Sequence, residues 1–397
     1  MSSGHPPSPA TFLAPKRTWV GADTLHAVPH GLTRPGGAGS VLLAVDRVLV
    51  DHPSVRLLVE EFRALGVVPE VVSDFGPELT SDQVDSAAWV ARARGVGAVV
   101  GVGGGSVLDA AKMIALLVTN DGTSSDWFGA VEPPHRPPEL VLVPTTVGTG
   151  AEVTRVSMIT DGGEKRIAAS AAFVPDLVVL DERLVADLPA PVVASTGLDA
   201  LAHASESILA SSSTPLTEVH AETAIRLVTG NLDAAYGGDR DATGRLLVAA
   251  YHAGLALNAG VVLGHSLGYA VNHERPLPHG TTTGLALPYT IAYNHRVEER
   301  RATLLASALV GEPTRDLRAA AEEVLALVRR VGQPGSLNEA GVPAGVEDAM
   351  ARRTVELYPR PTNPEPMNLE RVRALLTTMR DGDLEGAFAV TTGMESA

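Results

Sequence analysis

Cysteine is absent from the 397 residues, which removes disulfides, thiolate zinc sites and cysteine nucleophiles together. Any metal held by this chain must be held by His, Asp or Glu. A positive charge excess is also absent. Lys+Arg of 31 against Asp+Glu of 46 gives 31 − 46 = −15, which excludes a sequence-independent grip on nucleic acid or an anionic membrane surface. No apolar run reaches the ~20 residues that a membrane helix needs. Met1 to Ala10 are small, polar and Pro-rich, with no apolar stretch behind a basic one. Residues 1–10 are expected to be disordered, and the chain reads as cytoplasmic. Lysine is nearly missing too: only Lys16, Lys112 and Lys165 occur. A lysine kept inside a motif of so Arg-biased a chain carries extra weight, because its compact ammonium is not interchangeable with guanidinium.

What is present is a chain long enough for two domains, with 45% apolar residues. The first half alternates apolar strand-like runs with helical stretches. Val41–Val45, Val68–Val72, Gly97–Val102, Leu140–Val143 and Leu177–Leu180 read as strands, and Pro53–Leu65 and Ser81–Arg94 as helices. That alternation predicts a mostly parallel sheet covered on both faces. From Pro189 and Pro191 onward, β-branched runs give way to Ala/Leu/Glu/Arg stretches at helical period. The expected division is an α/β dinucleotide-binding domain over 1–188 and an all-helical domain over 189–397.

Two loops follow strands. In GVGGGSVLDAAK, Gly101 to Lys112, glycines let the backbone approach a phosphate at the start of a helix. The run is neither a full G-x-G-x-x-G fingerprint nor a Walker loop. Asp109 and Lys112 on that helix read equally well as a weak surface pair. In PTTVGTGAEVT, Pro144 to Thr154, Thr145, Thr146 and Thr149 offer hydroxyls beside glycines, a cradle for phosphate or ribose or simply a hydroxyl-rich loop. Both loops fall at the strand ends where open α/β sheets bind ligands. Asp46 ends the first clear strand, where a carboxylate accepts from a ribose diol and repels a 2′-phosphate, or else closes a turn with Arg47.

In the helical half, Asp199 and His203 stand at i and i+4, on one face of a helix. GHSLGYAVNHERPLPHG adds His265, His273 and His279, and Pro276 and Pro278 separate the helix of His265 from one that His279 opens. One carboxylate and three imidazoles from three helices can enclose a divalent ion.

GGGSVLDAAK, PTTVGTGAEVT, GLDALAHASE and LPHG, in this order, resemble the iron-containing (group III) alcohol dehydrogenases, over roughly Trp19 to Asn294. The resemblance implies a dehydroquinate synthase-like two-domain architecture with its site in the cleft between the domains, and assembly as a homodimer or larger homo-oligomer. It implies NAD(H)-dependent hydride transfer between nicotinamide and a small alcohol or aldehyde at a divalent metal, Fe(II) first and Zn(II) or another ion otherwise. Carried over, Asp199, His203, His265 and His279 match the metal ligands. Gly104, Gly105 and Ser106 match the pyrophosphate loop, Thr145, Thr146 and Thr149 the second nucleotide loop. Asp109, on the first loop's helix, is counted among the cofactor-binding residues with Lys165, which falls near a lysine placed beside the cofactor, and Asp46 matches the position that favours NAD over NADP.

Two departures stand out. Family members often carry a second histidine four residues after the third ligand, where this chain has Tyr269; Tyr269 or His273 is the candidate to replace it in proton transfer. A short Asn-Pro turn is altered to Pro77-Glu78-Leu79. His273 and Arg275 would favour an anionic aldehyde, unless they belong to a solvated loop. Three other readings compete: a metal-independent reductase like maleylacetate reductase, a lyase like dehydroquinate synthase (whose LGHTFG-type segment LGHSLG resembles), and a binding scaffold without turnover.

Overall fold

The computed structural model describes residues 10–32, 40–76 and 78–392. The disorder expected of the first ten residues falls, Ala10 apart, outside them, and so does Pro77 of the altered turn. Strands β1 (Thr18–Val20), β2 (Val41–Val45), β3 (Glu70–Val72), β4 (Ala98–Gly103), β5 (Gly129–Ala130), β6 (Glu139–Pro144), β7 (Val156–Asp161), β8 (Glu164–Ala169) and β9 (Leu177–Leu180) all precede residue 181. Helices α1 (Val28–Gly31), α2 (Pro53–Ala64), α3 (Ser81–Arg94) and α4 (Gly105–Thr119) lie among them.

Six strands form an all-parallel sheet in the order β1-β9-β6-β4-β2-β3. Its central strands are apolar without alternation because both faces are covered. Leu42, Ala44, Val99 and Leu142 pack with Leu108, Met113 and Ile114 of α4 on one face. Leu43, Val45, Val100 and Val143 pack with Leu58 and Phe62 of α2 on the other. The chain runs from β2 outward to β3, then returns to place β4 on the other side of β2. A reversal of that kind opens a crevice at the carboxyl ends of the two strands, the position where such sheets take ligands.

From Ala190 the described chain is helical. The elements are α5 (Ala190–Leu209), α6 (Pro215–Tyr236), α7 (Arg240–Ala256), α8 (Leu263–Glu274), α9 (His279–Tyr293), α10 (Glu299–Val310), α11 (Leu317–Arg330), α12 (Glu347–Glu356), α13 (Leu369–Asp381) and α14 (Leu384–Thr392). Pro189 caps α5 and Pro191 lies in its first turn, where a missing N–H costs nothing. Nearly all of α5 from Val193 on is buried, packed by α6, α7 and α9. No single helix among the described residues is long and apolar enough to cross a membrane.

Four strands escape the sequence reading: the edge strand β1 and the three of the small sheet β5-β8-β7. β7 and β8 pair antiparallel, and the first four residues of β8 are exposed, so no apolar run or alternation marks it.

Candidate active site

The nucleotide-type loops meet at the crevice. Asp46 follows β2, and its Oδ1 accepts from Val48 N at 3.2 Å; Oδ2 has no partner among the described residues. Gly104 is the N-cap of α4 and supplies no side-chain cap, and a helix start of this kind attracts an anion. The second loop closes over the first. A Cβ on Gly104 would stand 3.2 Å from Thr146 Cγ2, and one on Gly105 3.0 Å from Thr149 Cγ2. Thr145 N donates to Gly103 O at 3.1 Å. Thr146 Oγ1 is buried with no partner among the described residues. A cradle of glycines and an unpartnered hydroxyl fits a dinucleotide phosphate. Gly150 ties this loop to the helical half: its φ is +59°, and a Cβ there would fall 2.5 Å from Gly254 Cα in α7.

Asp109 and Lys112 do not form a weak surface pair. Lys112 is fully buried, and its Nζ donates to Asp109 Oδ1 at 3.0 Å, Thr154 Oγ1 at 3.1 Å and Val156 O at 2.6 Å. Asp109 Oδ2 accepts from Met158 N at 3.0 Å. The pair therefore pins β7 to α4, with both carboxylate oxygens engaged inside the protein. Lys165 lies half-exposed on β8, 3.5 Å from Glu78 Oε1.

Beside the pair, Glu152 is buried and its Oε1 has no partner among the described residues. Burial pushes its carboxyl up to about 7 from 4.5. The folded chain thus keeps a proton that the unfolded chain releases near pH 4.5, and stability falls as pH rises from there to about 7. The span corresponds to on the order of 3 kcal/mol. Glu152→Gln is expected to flatten that limb and to melt higher than wild type above pH ~7. Calorimetry of both proteins across this range checks it; parallel pH profiles would show that Glu152 is ionised throughout.

The second cluster lies in the helical half. Asp199 and His203 come from α5, His265 from the first turn of α8, and His279 opens α9. Donor atoms of Asp199, His203 and His265 lie within 4.8 Å of one another, all three residues buried. His279 is not in that triangle. Its Nε2 stands 3.8 Å from Asp199 Oδ1, and 40% of its side chain is exposed, so it marks the cluster's open side. The rings of His203 and His265 stack at 4.7 Å, and His265 and His279 meet edge to face at 5.5 Å. Close approach of α9 to α5 makes this possible: a Cβ on Gly280 would overlap Ser195 O at 1.9 Å.

Burial opposes ionisation of Asp199, yet His203, His279, His265 and the Thr283 hydroxyl together hold its carboxyl below the usual range. Thr283 Oγ1 donates to Asp199 Oδ1 at 3.0 Å. Burial, with His203 and His279 alongside, drives His265 well below its ordinary value, so its ring is neutral at neutral pH. Burial also lowers His279, against the pull of Asp199. Neutral imidazoles and an ionised carboxylate are the protonation states that ligate metals.

Two ring nitrogens complete the test for a metal. His203 Nδ1 and His265 Nε2 are buried with no hydrogen-bond partner among the described residues. Orphaned polar atoms are costly, and His265 Nε2 is the one a bound cation would satisfy, while His203 turns its other nitrogen, Nε2, toward Asp199 Oδ1 at 3.9 Å. The N/O donor set suits Fe(II) or Zn(II).

Glu206, absent from the sequence reading, fixes His265. Its Oε1 lies 2.8 Å from His265 Nδ1, and its Oε2 accepts from Val262 N at 2.7 Å and His265 N at 3.4 Å. Burial pushes Glu206 up to about 8, against these N–H donors and the charge of Arg360. A signal for it existed: Asp199, His203 and Glu206 stand at i, i+4 and i+7, one stripe of a helix.

Tyr269 is at the site. Its ring stacks on His279 at 5.3 Å, leans on Tyr358 at 5.0 Å, and its hydroxyl contacts Met158 Sδ of β7 at 3.8 Å. Burial raises its phenol above the ordinary value, so it stays protonated. His273 is not brought to the cluster. It is exposed on the last turn of α8, with Arg353 Nη2 2.9 Å from its Nε2. Eight residues of helix beyond His265 turn a side chain by about 80° and carry it about 12 Å along the axis. That rotation is the physical reason it misses.

A parallel sheet with two anion-type loops, set against a helical half that buries an Asp/His cluster, is the architecture of a two-domain oxidoreductase. A family model described as iron-containing alcohol dehydrogenase matches residues 15–182, and one for the C-terminal part of that family matches residues 193–379. The chain is similar to long-chain-alcohol dehydrogenase 1 of Geobacillus thermodenitrificans strain NG80-2, 31% identical over 88% of this chain and 91% of that one. It is 36% identical to probable alcohol dehydrogenase EutG of Escherichia coli strain K12, over 73% and 75% of the two chains. Among solved structures, 1,3-propanediol oxidoreductase superposes with a TM-score of 0.87 at 26% identity, covering 94% of this chain and 100% of that one. The chain belongs to the iron-containing alcohol dehydrogenase family, and its reaction is oxidoreduction at a CH–OH group.

Proposed function

We propose that this chain reduces a small aldehyde, and oxidises the corresponding alcohol, with NAD(H) and one divalent metal ion, Fe(II) in the first place. Asp199, His203, His265 and His279 are the ligands in this reading. Gly104, Gly105, Ser106, Thr145, Thr146 and Thr149 receive the dinucleotide. The observation that carries the reading is the buried triangle of Asp199, His203 and His265 donor atoms within 4.8 Å, with Asp199 ionised and His265 Nε2 unpartnered among the described residues.

When bound, the ion supplies Lewis acidity at the substrate oxygen and the nicotinamide supplies or accepts the hydride. The protein's own groups do the rest. Glu206 and Thr283 orient His265 and Asp199. The exposed edge of His279 faces the cleft, and Tyr269 backs that ring with a protonated hydroxyl next to β7. Residues 1–188 form the dinucleotide side and 189–397 the metal side, in keeping with the limits of the two family models. The proposal includes a cytoplasmic place of action and a homodimer or larger assembly, the latter read out by sedimentation velocity.

Butanal reduction, followed anaerobically by nicotinamide absorbance with NADH and with NADPH, tests the reading. NADH is expected to be preferred, because Asp46 at the crevice repels a 2′-phosphate. Asp46→Ala is expected to lower the NADH-to-NADPH ratio of kcat/KM about tenfold or more, roughly one charge contact's worth. An unchanged ratio would place the ribose elsewhere. Absence of turnover with either cofactor and any divalent ion would defeat the dehydrogenase reading.

A further inference from the structure

We infer that the substrate carries an anionic group, a carboxylate or a phosphonate, beyond its aldehyde or alcohol carbon, and that Arg360 receives it. This inference rests on the reading above and narrows its substrate class.

Arg360 lies in the Pro-rich segment between α12 and α13. Its Nε donates to Ser266 Oγ at 3.1 Å, and Ser266 Oγ donates to Tyr358 O at 2.6 Å. Ser266 follows the cluster residue His265, and Tyr358 packs on Tyr269, which stacks on His279. The guanidinium is therefore anchored by one edge beside the cluster. Its charge reaches His265, Tyr269 and Glu206.

The other edge has nothing to hold. Among the described residues neither Nη has an acceptor and no carboxylate pairs with Arg360, although it is half-buried. Arg371 and Arg380, also half-buried, each have an acid: Glu365 at 3.5 Å and Glu347. Glu206 cannot serve, since its oxygens are committed to Val262 N at the start of α8 and to the ring of His265. A half-buried guanidinium without a counter-charge is costly, and its planar fork matches a carboxylate or phosphonate. Anion recognition therefore belongs to Arg360 and not to His273, whose ring faces Arg353.

The metal-loaded wild type, Arg360→Lys and Arg360→Ala would be assayed with NADH on two pairs: butanal with succinic semialdehyde, and propanal with phosphonoacetaldehyde. Wild type is expected to prefer the anionic member of at least one pair, and which pair distinguishes carboxylate from phosphonate. Arg360→Ala is expected to lower the anionic-to-neutral ratio of kcat/KM by about 10- to 100-fold, chiefly through KM. Arg360→Lys should recover part of it, because it keeps the charge and loses the fork. Inhibition by succinate or methylphosphonate should weaken by a similar factor in Arg360→Ala. An unchanged ratio overturns the inference and leaves the dehydrogenase reading standing. Equal losses on all substrates with a lowered melting temperature assign Arg360 to the fold through Ser266, and overturn it too. No reduction of any aldehyde by the metal-loaded wild type overturns both.

Discussion

Asp199→Asn is expected to release the bound divalent ion and to lower aldehyde reduction by on the order of a thousandfold. The side chain keeps its shape, and Thr283 Oγ1 can still donate to the amide oxygen. What disappears is the full negative charge that Asp199 contributes beside three imidazoles. Lewis-acid stabilisation of a developing alkoxide is worth several kcal/mol, and each ~1.4 kcal/mol is tenfold in rate. Asp199 is buried, so no solvent ion replaces the lost charge. Metal content after anaerobic dialysis and turnover of the same sample check both halves. An Asp199→Asn protein that holds its ion at wild-type affinity would remove Asp199 from the ligand set.

Glu206→Gln is expected to weaken metal binding by about 10- to 100-fold while leaving NADH affinity in place. Glu206 touches no substrate position; it acts through His265. With His265 Nε2 turned to a cation, Nδ1 carries the proton of the ring, and Glu206 in its carboxylate form offers acceptors to it, to Val262 N and to His265 N. An amide must turn its NH2 toward one of these donors, which loosens the ring or strands an N–H at a cost of about 1–3 kcal/mol. There is no room to move aside, because a Cβ on Gly264 would already fall 2.5 Å from Glu206 Oε1. Competition titration against a chromophoric chelator, beside nucleotide fluorescence titration, separates the two effects. Equal weakening of metal and NADH binding would mean that Glu206 serves general stability only.

The sheet was legible where burial on both faces demands unbroken apolar runs: β2 and β9 coincide with their predicted residues, and β4 and β6 lie within one residue of theirs. The small sheet was not, because the EKRIAA of β8 leaves its first four residues in solvent, and its partner β7 is held in place by Asp109 of α4, a contact no local pattern announces. The helix carrying Asp199 and His203 was legible from an i, i+4 spacing, and the break before His279 from two prolines. Arg360 and Tyr358 were out of reach of local patterning. They arrive from some 90 residues further along the chain than Ser266, through a Pro-rich loop that reads only as an interruption between helices. His273 was a candidate because it is close in sequence, and helical rotation places it elsewhere.

The most direct measurement is metal stoichiometry paired with NADH-dependent aldehyde reduction, on stripped wild type reloaded stepwise with Fe(II) and, separately, with Zn(II). The proposed site predicts one ion per chain, turnover that rises in proportion to occupancy, and neither binding nor turnover in a His265→Ala chain that still binds NADH. Full turnover by the stripped protein would contradict it, and would make this chain a metal-independent reductase in which the buried histidines serve the fold.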